Sequence, residues 1–376
     1  MKPEDINWQG EDSVFLHNPD LPAEEKELLA KLQNELPEIP SCIWVLTSGS
    51  TSLNQYKWIA LKKGAFLASA KAVNDHIESS SDDVWLSVLP SFHVGGLSVW
   101  ARAHLSGAKV IEEVSSWDPH RYHHLLESKN ITLSSLVPTQ LYDLVHSGLK
   151  CPDSLRAIFV GGGALSESVY LQARDLGYPV LPTYGMTEVC SQIATASLES
   201  LNEHRFPDAR ILDHIEVQEG SNSVLEVKGQ SLLTGIAYIE GQSLTYKEHP
   251  KNEWYPTDDV GDVHLGCIKV RGRKSELVKV LGELVSFPKL RSVLELLSHE
   301  LEATLLPVPD PRKGHAVAMV FELDALKMNY LEVIKDFNER VAGFEKATQI
   351  YFVDEIPKTP LGKLKSEELK MLIGVL

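Results

Sequence analysis

Cysteine is scarce in these 376 residues: Cys42, Cys151, Cys190 and Cys267 lie far apart, with no Cys-x-x-Cys pair. Neither a disulfide framework nor a zinc site is suggested by that spacing. Positive charge is short as well, since 36 lysines and arginines face 52 acidic residues and leave a net charge of −16. Phosphate backbones repel so acidic a chain unless a basic patch is concentrated locally, and none is visible, so no nucleic-acid partner is expected. Long apolar runs are missing, and Met1 to Gly10 is acidic and polar where a secretory leader would be basic and then apolar. The expectation is a cytoplasmic protein with no membrane insertion. The 14 histidines include no His-Glu-x-x-His pattern, the adjacent His123 and His124 read as solvated residues of a surface helix, and no Gly-x-x-x-x-Gly-Lys-Ser/Thr phosphate loop occurs.

What the chain does have is apolar material, 43% of its residues, enough for two or three domains with sizeable cores. From Val84 to Tyr184 strand-like runs alternate with helical stretches: Trp85 to Leu89, Lys109 to Val114, Thr132 to Val137, Ala157 to Gly161 and Val180 to Thr183. This alternation is the mark of a doubly wound, mostly parallel sheet in an α/β fold, with ligand sites in the loops at the strand ends. Helices are expected near Lys62 to Val73 and over Pro22 to Leu36, the latter acidic, with proline in its first turn and Glu24 and Glu25 near its N-terminus. Residues 1 to 40 otherwise supply no element. From Ala209 to Tyr246 short alternating strands with glycine turns, including Ser223 to Lys228 and Gly235 to Ile239, read as a small antiparallel or barrel-like β subdomain at about 209–265. After Arg273 a smaller α+β unit follows: a hairpin through Gly282, a helix near Lys289 to Leu297, strands around Ala303 to Val308 and His315 to Glu322, a helix near Leu326 to Arg340, and a last strand at Gln349 to Val353. The expected division is a large domain over 1–272 and a C-terminal domain over 273–376.

Five segments carry groups suited to a nucleotide. Thr183-Tyr184-Gly185-Met186-Thr187-Glu188 offers a flat ring, a glycine turn, a hydroxyl and a carboxylate within a few residues, as needed to stack a purine, approach a phosphate and hold a divalent metal. Thr47-Ser48-Gly49-Ser50-Thr51-Ser52 follows the apolar run Cys42 to Leu46 and precedes Lys57, so a strand runs into a hydroxyl-rich turn with a lysine nearby to offset phosphate charge. Asp259, in Trp254 to Gly261, can accept two ribose hydroxyls, and Arg273, ahead of the turn at Gly282, can pair with phosphate or ribose. In Pro357-Lys358-Thr359-Pro360-Leu361-Gly362-Lys363 two prolines and a glycine make a stiff turn that holds one lysine outward. Each has an ordinary reading beside it: a common turn, a solvated serine-rich loop, an acidic turn and hairpin, a solvated terminal lysine. Gly161-Gly162-Gly163-Ala164 adds a glycine loop directly after the strand that precedes the Tyr184 motif, as expected for neighbouring walls of one crevice.

Taken in chain order, from about Ile43 to Lys363, the five segments resemble those of the adenylate-forming superfamily of acyl-CoA synthetases, adenylation domains and luciferases. Within it, Gly185 to Gln192 and Pro90 to Leu97 look most like the o-succinylbenzoate-CoA ligases of menaquinone synthesis. The resemblance implies an AMP-forming acid-thiol ligase using ATP, Mg²⁺ and coenzyme A. Glu188 would hold Mg²⁺, Thr187 would contact the α-phosphate, and Thr47, Ser48, Gly49, Ser50 and Thr51 with Lys57 would cradle the outer phosphates. Tyr184 and Gly185 would meet the adenine side, with Gly161, Gly162 and Gly163 as the opposite wall. Asp259 would bind ribose with Arg273 assisting. His93 would gate the acyl pocket, although a satisfied buried histidine fits the sequence equally. Lys363 would bridge substrate carboxylate and α-phosphate, and the smaller domain would be mobile, replacing Lys363 by the loop around Gly282 beside the pantetheine of CoA.

The sequence departs from the family pattern in places. Ser52 stands for the usual loop glycine, Asp258 for a glycine before the ribose aspartate, and Ser275 for the Asp or Lys of the hinge. The phosphate loop begins at Thr47, earlier than in related ligases, so the chain reads as a shortened form; the helix over Pro22 to Leu36 reads first as a solvated packing helix, and a second copy covering the exposed sheet edge in a homodimer is the alternative. Two alternatives stay open: an adenylation enzyme that passes its acyl group to a carrier protein or amine, and a degenerate module that binds AMP or an acyl ligand without turnover.

Overall fold

The computed structural model describes residues 2–48, 55–297, 302–323, 330–358 and 364–375. Its chain divides into two compact units, the first made of Met1–Gln218, Glu226–Tyr255 and Val263–Ile268, the second of Glu219–Leu225, Pro256–Asp262 and Lys269–Leu376.

The N-terminal half runs β1 (Val14–Leu16), α1 (Ala23–Gln33), β2 (Cys42–Ser48), β3 (Gln55–Lys62), α2 (Lys63–His76), β4 (Val84–Ser87), α3 (Val94–Ser106), β5 (Lys109–Glu112), α4 (Pro119–Ser128), β6 (Leu133–Leu136), α5 (Pro138–His146), β7 (Ala157–Val160), α6 (Glu167–Asp175) and β8 (Val180–Met186). Then come β9 (Ser191–Thr195), β10 (Ala209–Ile211), β11 (Ile215–Glu219), β12 (Val224–Gly229), β13 (Gly235–Glu240), β14 (Ser243–Glu248), β15 (Tyr255–His264) and β16 (Cys267–Arg273).

Strands β5, β4, β6, β7 and β8 lie side by side in that order, all parallel. One face carries Trp85, Leu133, Ala157, Phe159 and Leu181 against Val73 of α2 and Val99 of α3. The other carries Leu86, Leu136, Ile158 and Val180 against Leu126, Leu144 and Tyr170 of α4, α5 and α6. Burial on both faces is why these strands read as short unbroken apolar runs. The order reverses at β4 and β6: the chain leaving β4 crosses to α3 on one face and the chain leaving β6 to α5 on the other. Open parallel sheets bind ligands at such a switch point. Behind it, at the opposite strand ends, Asp83 accepts from Arg156 Nε at 2.8 Å and Nη2 at 2.7 Å and from Thr132 Oγ1 at 2.8 Å, tying β4, β6 and β7 together.

A second sheet has the order β1-β2-β3-β13-β14. Ile43, Val45, Ile59 and Leu61 face Phe66 and Ala70 of α2 and Leu97 and Ala101 of α3, while Cys42, Trp44, Leu46 and Trp58 face Leu29 and Leu32 of α1. Two departures from the sequence reading appear here. Residues 1 to 40 supply more than the acidic helix, because β1 pairs in parallel with β2, Val14 opposite Ile43; three residues are too few to show alternation. The strands over 209–246 are present but divided: β13 and β14 join β3, Ile236 opposite Ile59, while β10, β11 and β12 belong to the sheet of β9, together with β15 and β16. Lys63, at the start of α2, is wholly buried and donates to Asn7 O at 2.8 Å, Gly10 O at 3.2 Å and Asp12 Oδ1 at 2.9 Å, clamping the first dozen residues.

The second unit continues with β17 (Leu277–Val280), β18 (Glu283–Ser286), α7 (Phe287–Glu295), β19 (Ala303–Asp310), β20 (Gly314–Glu322), α8 (Tyr330–Arg340), β21 (Ala347–Val353) and α9 (Ser366–Leu372). Antiparallel β19 and β20 and parallel β21 form its sheet. One face packs Leu305, Met319 and Phe321 against Leu290, Leu294 and Phe337 of α7 and α8; the other packs Leu306, Val320 and Val353 against Leu369 of α9. Helix α7 starts where Ser286 caps and Pro288 fixes the first turn. The first part of the helix expected from Leu326 falls outside the described residues.

Candidate active site

Around β8 the first unit brings Tyr184, Gly185, Thr187 and Glu188 together with the glycine loop that starts at Gly161. Strand β8 carries Tyr184 and Gly185 and bulges between them; after Met186 a single 3₁₀ turn holds Thr187 and Glu188, and β9 returns antiparallel. The return is so close that a Cβ on Gly185 would lie 1.8 Å from the Ser191 carbonyl oxygen, which only glycine allows. Cys190 and Ser191 complete the turn with φ of 58° and 113°, left-handed values that non-glycine residues seldom adopt. Cys190 is buried and packs in the core beside Ile43 and Leu97, so the turn is anchored from below while Thr187 and Glu188 stay half-buried above. Leu233 N donates to Glu188 O at 2.8 Å, and the turn packs against β3.

Gly161 lies directly after β7 beside this hairpin. A Cβ there would come within 2.8 Å of Thr183 Cγ2, so glycine lets the loop rest on β8; Gly162 has φ +81° and, like Gly163, is exposed. His93 caps the start of α3 with its backbone, its ring 4.5 Å from that of Phe92, and burial holds its imidazole below the usual range, in the neutral form near pH 7.

Thr47 and Ser48 end β2, paired with Lys57 and Tyr56 of β3. Thr47 and Lys57 therefore share a sheet face, and Lys57 Nζ lies 5.5 Å over the ring of Tyr238 on the next strand. Gly49, Ser50 and Thr51, with Ser52, lie outside the described residues. The carboxylate of Glu25 on α1 accepts from the Tyr56 hydroxyl, tying that helix to the strand leaving the loop; burial and this partner push the phenol up to about 12.

In the second unit the structure brings Asp259 and Arg273 together. Asp259 is 9% exposed, its backbone N–H held by Thr257 Oγ1 at 3.1 Å, and its Oδ1 lies 3.6 Å from Arg273 Nε. Asp258 is exposed, and Arg271 pairs with Asp262 at 3.1 Å. Gly282, φ +88°, forms with Leu281, φ 54°, the two-residue turn between β17 and β18. Lys363 lies outside the described residues; the residues flanking it are held by a bridge between Lys358 and Leu364 and by Lys365 N donating to Pro357 O at 2.9 Å.

Among the described residues no group of three or more His, Cys, Asp or Glu could hold a metal, so a divalent ion would rely on one carboxylate and on ligand oxygens. Glu188, next to Thr187 in the 3₁₀ turn, is the residue that would hold Mg²⁺ in that manner, since this ion keeps waters and phosphate oxygens around one or two carboxylates. No described helix is long and apolar enough to cross a membrane.

The sequence reading missed a polar network beneath the hairpin. Arg102 on α3 is 2% exposed; its Nη2 donates to Ser98 Oγ at 3.1 Å and Gln192 Oε1 at 2.9 Å, and Gln192 Nε2 donates to Thr183 Oγ1 at 2.9 Å. Its signal was an arginine inside the otherwise apolar stretch Val94 to Ala103.

Similarity to known proteins agrees with this geometry. Residues 10–221 match the AMP-binding enzyme family. A 2-succinylbenzoate–CoA ligase of Bacillus cytotoxicus is 31% identical over 356 residues, covering 91% of this chain and 72% of that protein. One from Bacillus pumilus is 28% identical over 360 residues, covering 93% and 73%. The o-succinylbenzoate coenzyme A synthetase of Bacillus subtilis, solved with ATP and magnesium, superposes with a TM-score of 0.76 at 25% identity, covering 95% of this chain and 79% of that one. The mixed α/β architecture, the glycine-dependent hairpin beside Gly161 and these matches lead to one conclusion: the chain belongs to the family of AMP-binding enzymes.

Proposed function

We propose that the chain is an acid-thiol ligase that activates a carboxylic acid, o-succinylbenzoate first among candidates, with ATP to an acyl-adenylate and then passes the acyl group to CoA, releasing AMP. The observation that carries this reading is the β8–β9 hairpin, which presents Tyr184, Thr187 and Glu188 in one turn beside Gly161 and packs against β3, the strand of Lys57. Ligases of 2-succinylbenzoate that align with nine-tenths of the chain support the choice of acid and acceptor.

A carboxylate attacks the α-phosphate of ATP poorly because both are anionic, so the site must offset charge and align the two groups before pyrophosphate leaves. Mg²⁺ supplies positive charge to the phosphate oxygens when bound, with Glu188 as its protein ligand. Thr187 donates to the α-phosphate, Thr47 and Ser48 lead into the loop of Gly49, Ser50 and Thr51 that takes the outer phosphates with Lys57, and Tyr184 stacks on adenine across from Gly161, Gly162 and Gly163. The neutral His93 borders the acyl group. In the C-terminal domain, taken as 273–376, Lys363 stabilises the adenylation transition state, and the Gly282 turn serves the thiol step; Asp259 holds the ribose, oriented by Arg273.

The test is Mg²⁺-ATP-dependent release of pyrophosphate and AMP with o-succinylbenzoate and a panel of aryl and fatty acids, each with and without CoA. Turnover that needs one acid and CoA is expected. Pyrophosphate with acid but AMP release only with a carrier protein or amine would move the acceptor; ATP binding without pyrophosphate from any acid would sink the ligase.

A further inference from the structure

We propose that Arg102 and Gln192 are positioning residues that set the nucleotide hairpin by imposing a direction on a chain of hydrogen bonds ending at Thr183, a role that rests on the ligase reading above.

Arg102 is out of place by ordinary packing rules. Its guanidinium lies 5.5 Å over Trp85 and 5.3 Å over Phe159, rings that stack at 5.8 Å, and its hydrogen bonds go to the neutral side chains of Ser98 and Gln192, with Nε left unpartnered. Burial pushes its pKa down to about 9. A buried cation without a counter-ion is costly, and an apolar side chain of similar length would fill the space with less penalty. Packing alone therefore does not account for it.

Its hydrogen bonds do. A guanidinium only donates, so Gln192 must turn its carbonyl oxygen toward Arg102, and its NH₂ then points the other way, at Thr183 Oγ1. The Thr183 oxygen accepts this bond and another from Thr195 Oγ1 at 3.2 Å, which leaves its proton for the Ala194 carbonyl at 3.0 Å. The direction of each bond from Gln192 Oε1 to the Ala194 carbonyl is thereby fixed, although Arg102 Nε, also buried, has no partner, and Thr183 is locked in one rotamer. That rotamer matters because the Thr183 methyl is the surface on which Gly161 rests, and Tyr184 is the next residue. Arg102, buried under the sheet, thus sets the gap between the two walls expected to enclose the base. Without it the Gln192 amide is free to flip, Thr183 can rotate, and the gap loses its fixed width.

Two substitutions separate positioning from support. In Gln192→Glu the carboxylate still accepts from Arg102, as a buried ion pair, but cannot donate to Thr183. In Arg102→Met the space stays filled and the donor is lost. Both are expected to weaken ATP binding, read by calorimetry without acid present, on the order of tenfold, as for one lost hydrogen bond, with thermal midpoints no lower than the parent's. Arg102→Lys, a donor without an acceptor, should recover part of the affinity, and adding Thr183→Val to Gln192→Glu should cost no more than either change alone. Unchanged ATP affinity in a folded Gln192→Glu protein, or losses that merely follow the fall in thermal midpoint, would overturn the proposal. If the parent binds ATP but releases no pyrophosphate with any acid, the ligase reading fails while the affinities still decide the relay; a parent that binds no ATP overturns both.

Discussion

Gly185 bears the tightest steric constraint in the site. With the Ser191 oxygen 1.8 Å from the position a Cβ would take, Gly185→Ala must push β9 away or undo the bulge. Loss of ATP binding is expected, with destabilisation of roughly 2–4 kcal/mol; urea unfolding and calorimetry read the two effects separately, and an alanine variant that binds ATP normally would show that the close approach does not matter. A second residue governs behaviour in acid. His214 is 6% exposed, and burial lowers its pKa to about 4 from 6.5. The unfolded chain therefore takes up a proton near pH 6.5 that the folded chain refuses until about pH 4. The stability tied to neutral His214 is present above 6.5, falls as pH drops through that window, and the full loss, on the order of 3 kcal/mol, is reached below 4. Thermal midpoints measured from pH 7 to 4 should fall more steeply for the parent than for His214→Gln; parallel profiles would remove His214 as the cause.

Among elements, the hairpin of β17 and β18 is the least well matched to its sequence. A two-residue turn with both φ positive favours Asn-Gly, whereas here exposed Leu281 holds the first position at φ 54°. Leu281→Asn should raise stability by about 0.5–1 kcal/mol. If the loop at Gly282 serves the thiol step, the same change should slow CoA-dependent AMP release and spare pyrophosphate release; an unchanged thiol step would release Leu281 from that role. The elements differ in how openly the sequence announces them. The parallel strands were legible because burial on both faces writes them as short apolar runs between helical stretches, and Gly161 and Gly185 because turns that tight exclude a Cβ. Strand β1 was not, since Val14-Phe15-Leu16 is too short to show a period. Neither was the partner of β13, because pairing Ile236 with Ile59 depends on a contact between segments far apart in the chain. Arg102 was opaque for a similar reason: an arginine on a helix reads as a solvated side chain until Trp85, Phe159 and Gln192, from three other elements, close around it.

For the whole molecule, the two-step reading predicts a division of labour between the groups of the large domain and Lys363. In Lys363→Ala, acid-dependent pyrophosphate release should fall on the order of a hundredfold, the scale of one transition-state donor, while CoA still cleaves supplied acyl-adenylate. Equal loss of both steps would remove the lysine from the first. Removing Mg²⁺ with a chelator should abolish pyrophosphate release and leave that thiolysis largely intact.

The sheet that carries Thr47 and Lys57 has a consequence for how the protein is made. Strand β3 needs β13 on its free side, yet 172 residues separate Lys62 from Gly235. At synthesis rates of about 5–20 residues per second, the ribosome takes roughly ten to thirty-five seconds to supply them. Throughout that interval Tyr56-Lys57-Trp58-Ile59-Ala60-Leu61 presents an open, apolar strand edge on the nascent chain, so the yield of this protein in a cell should depend on holding chaperones more than its finished stability would indicate.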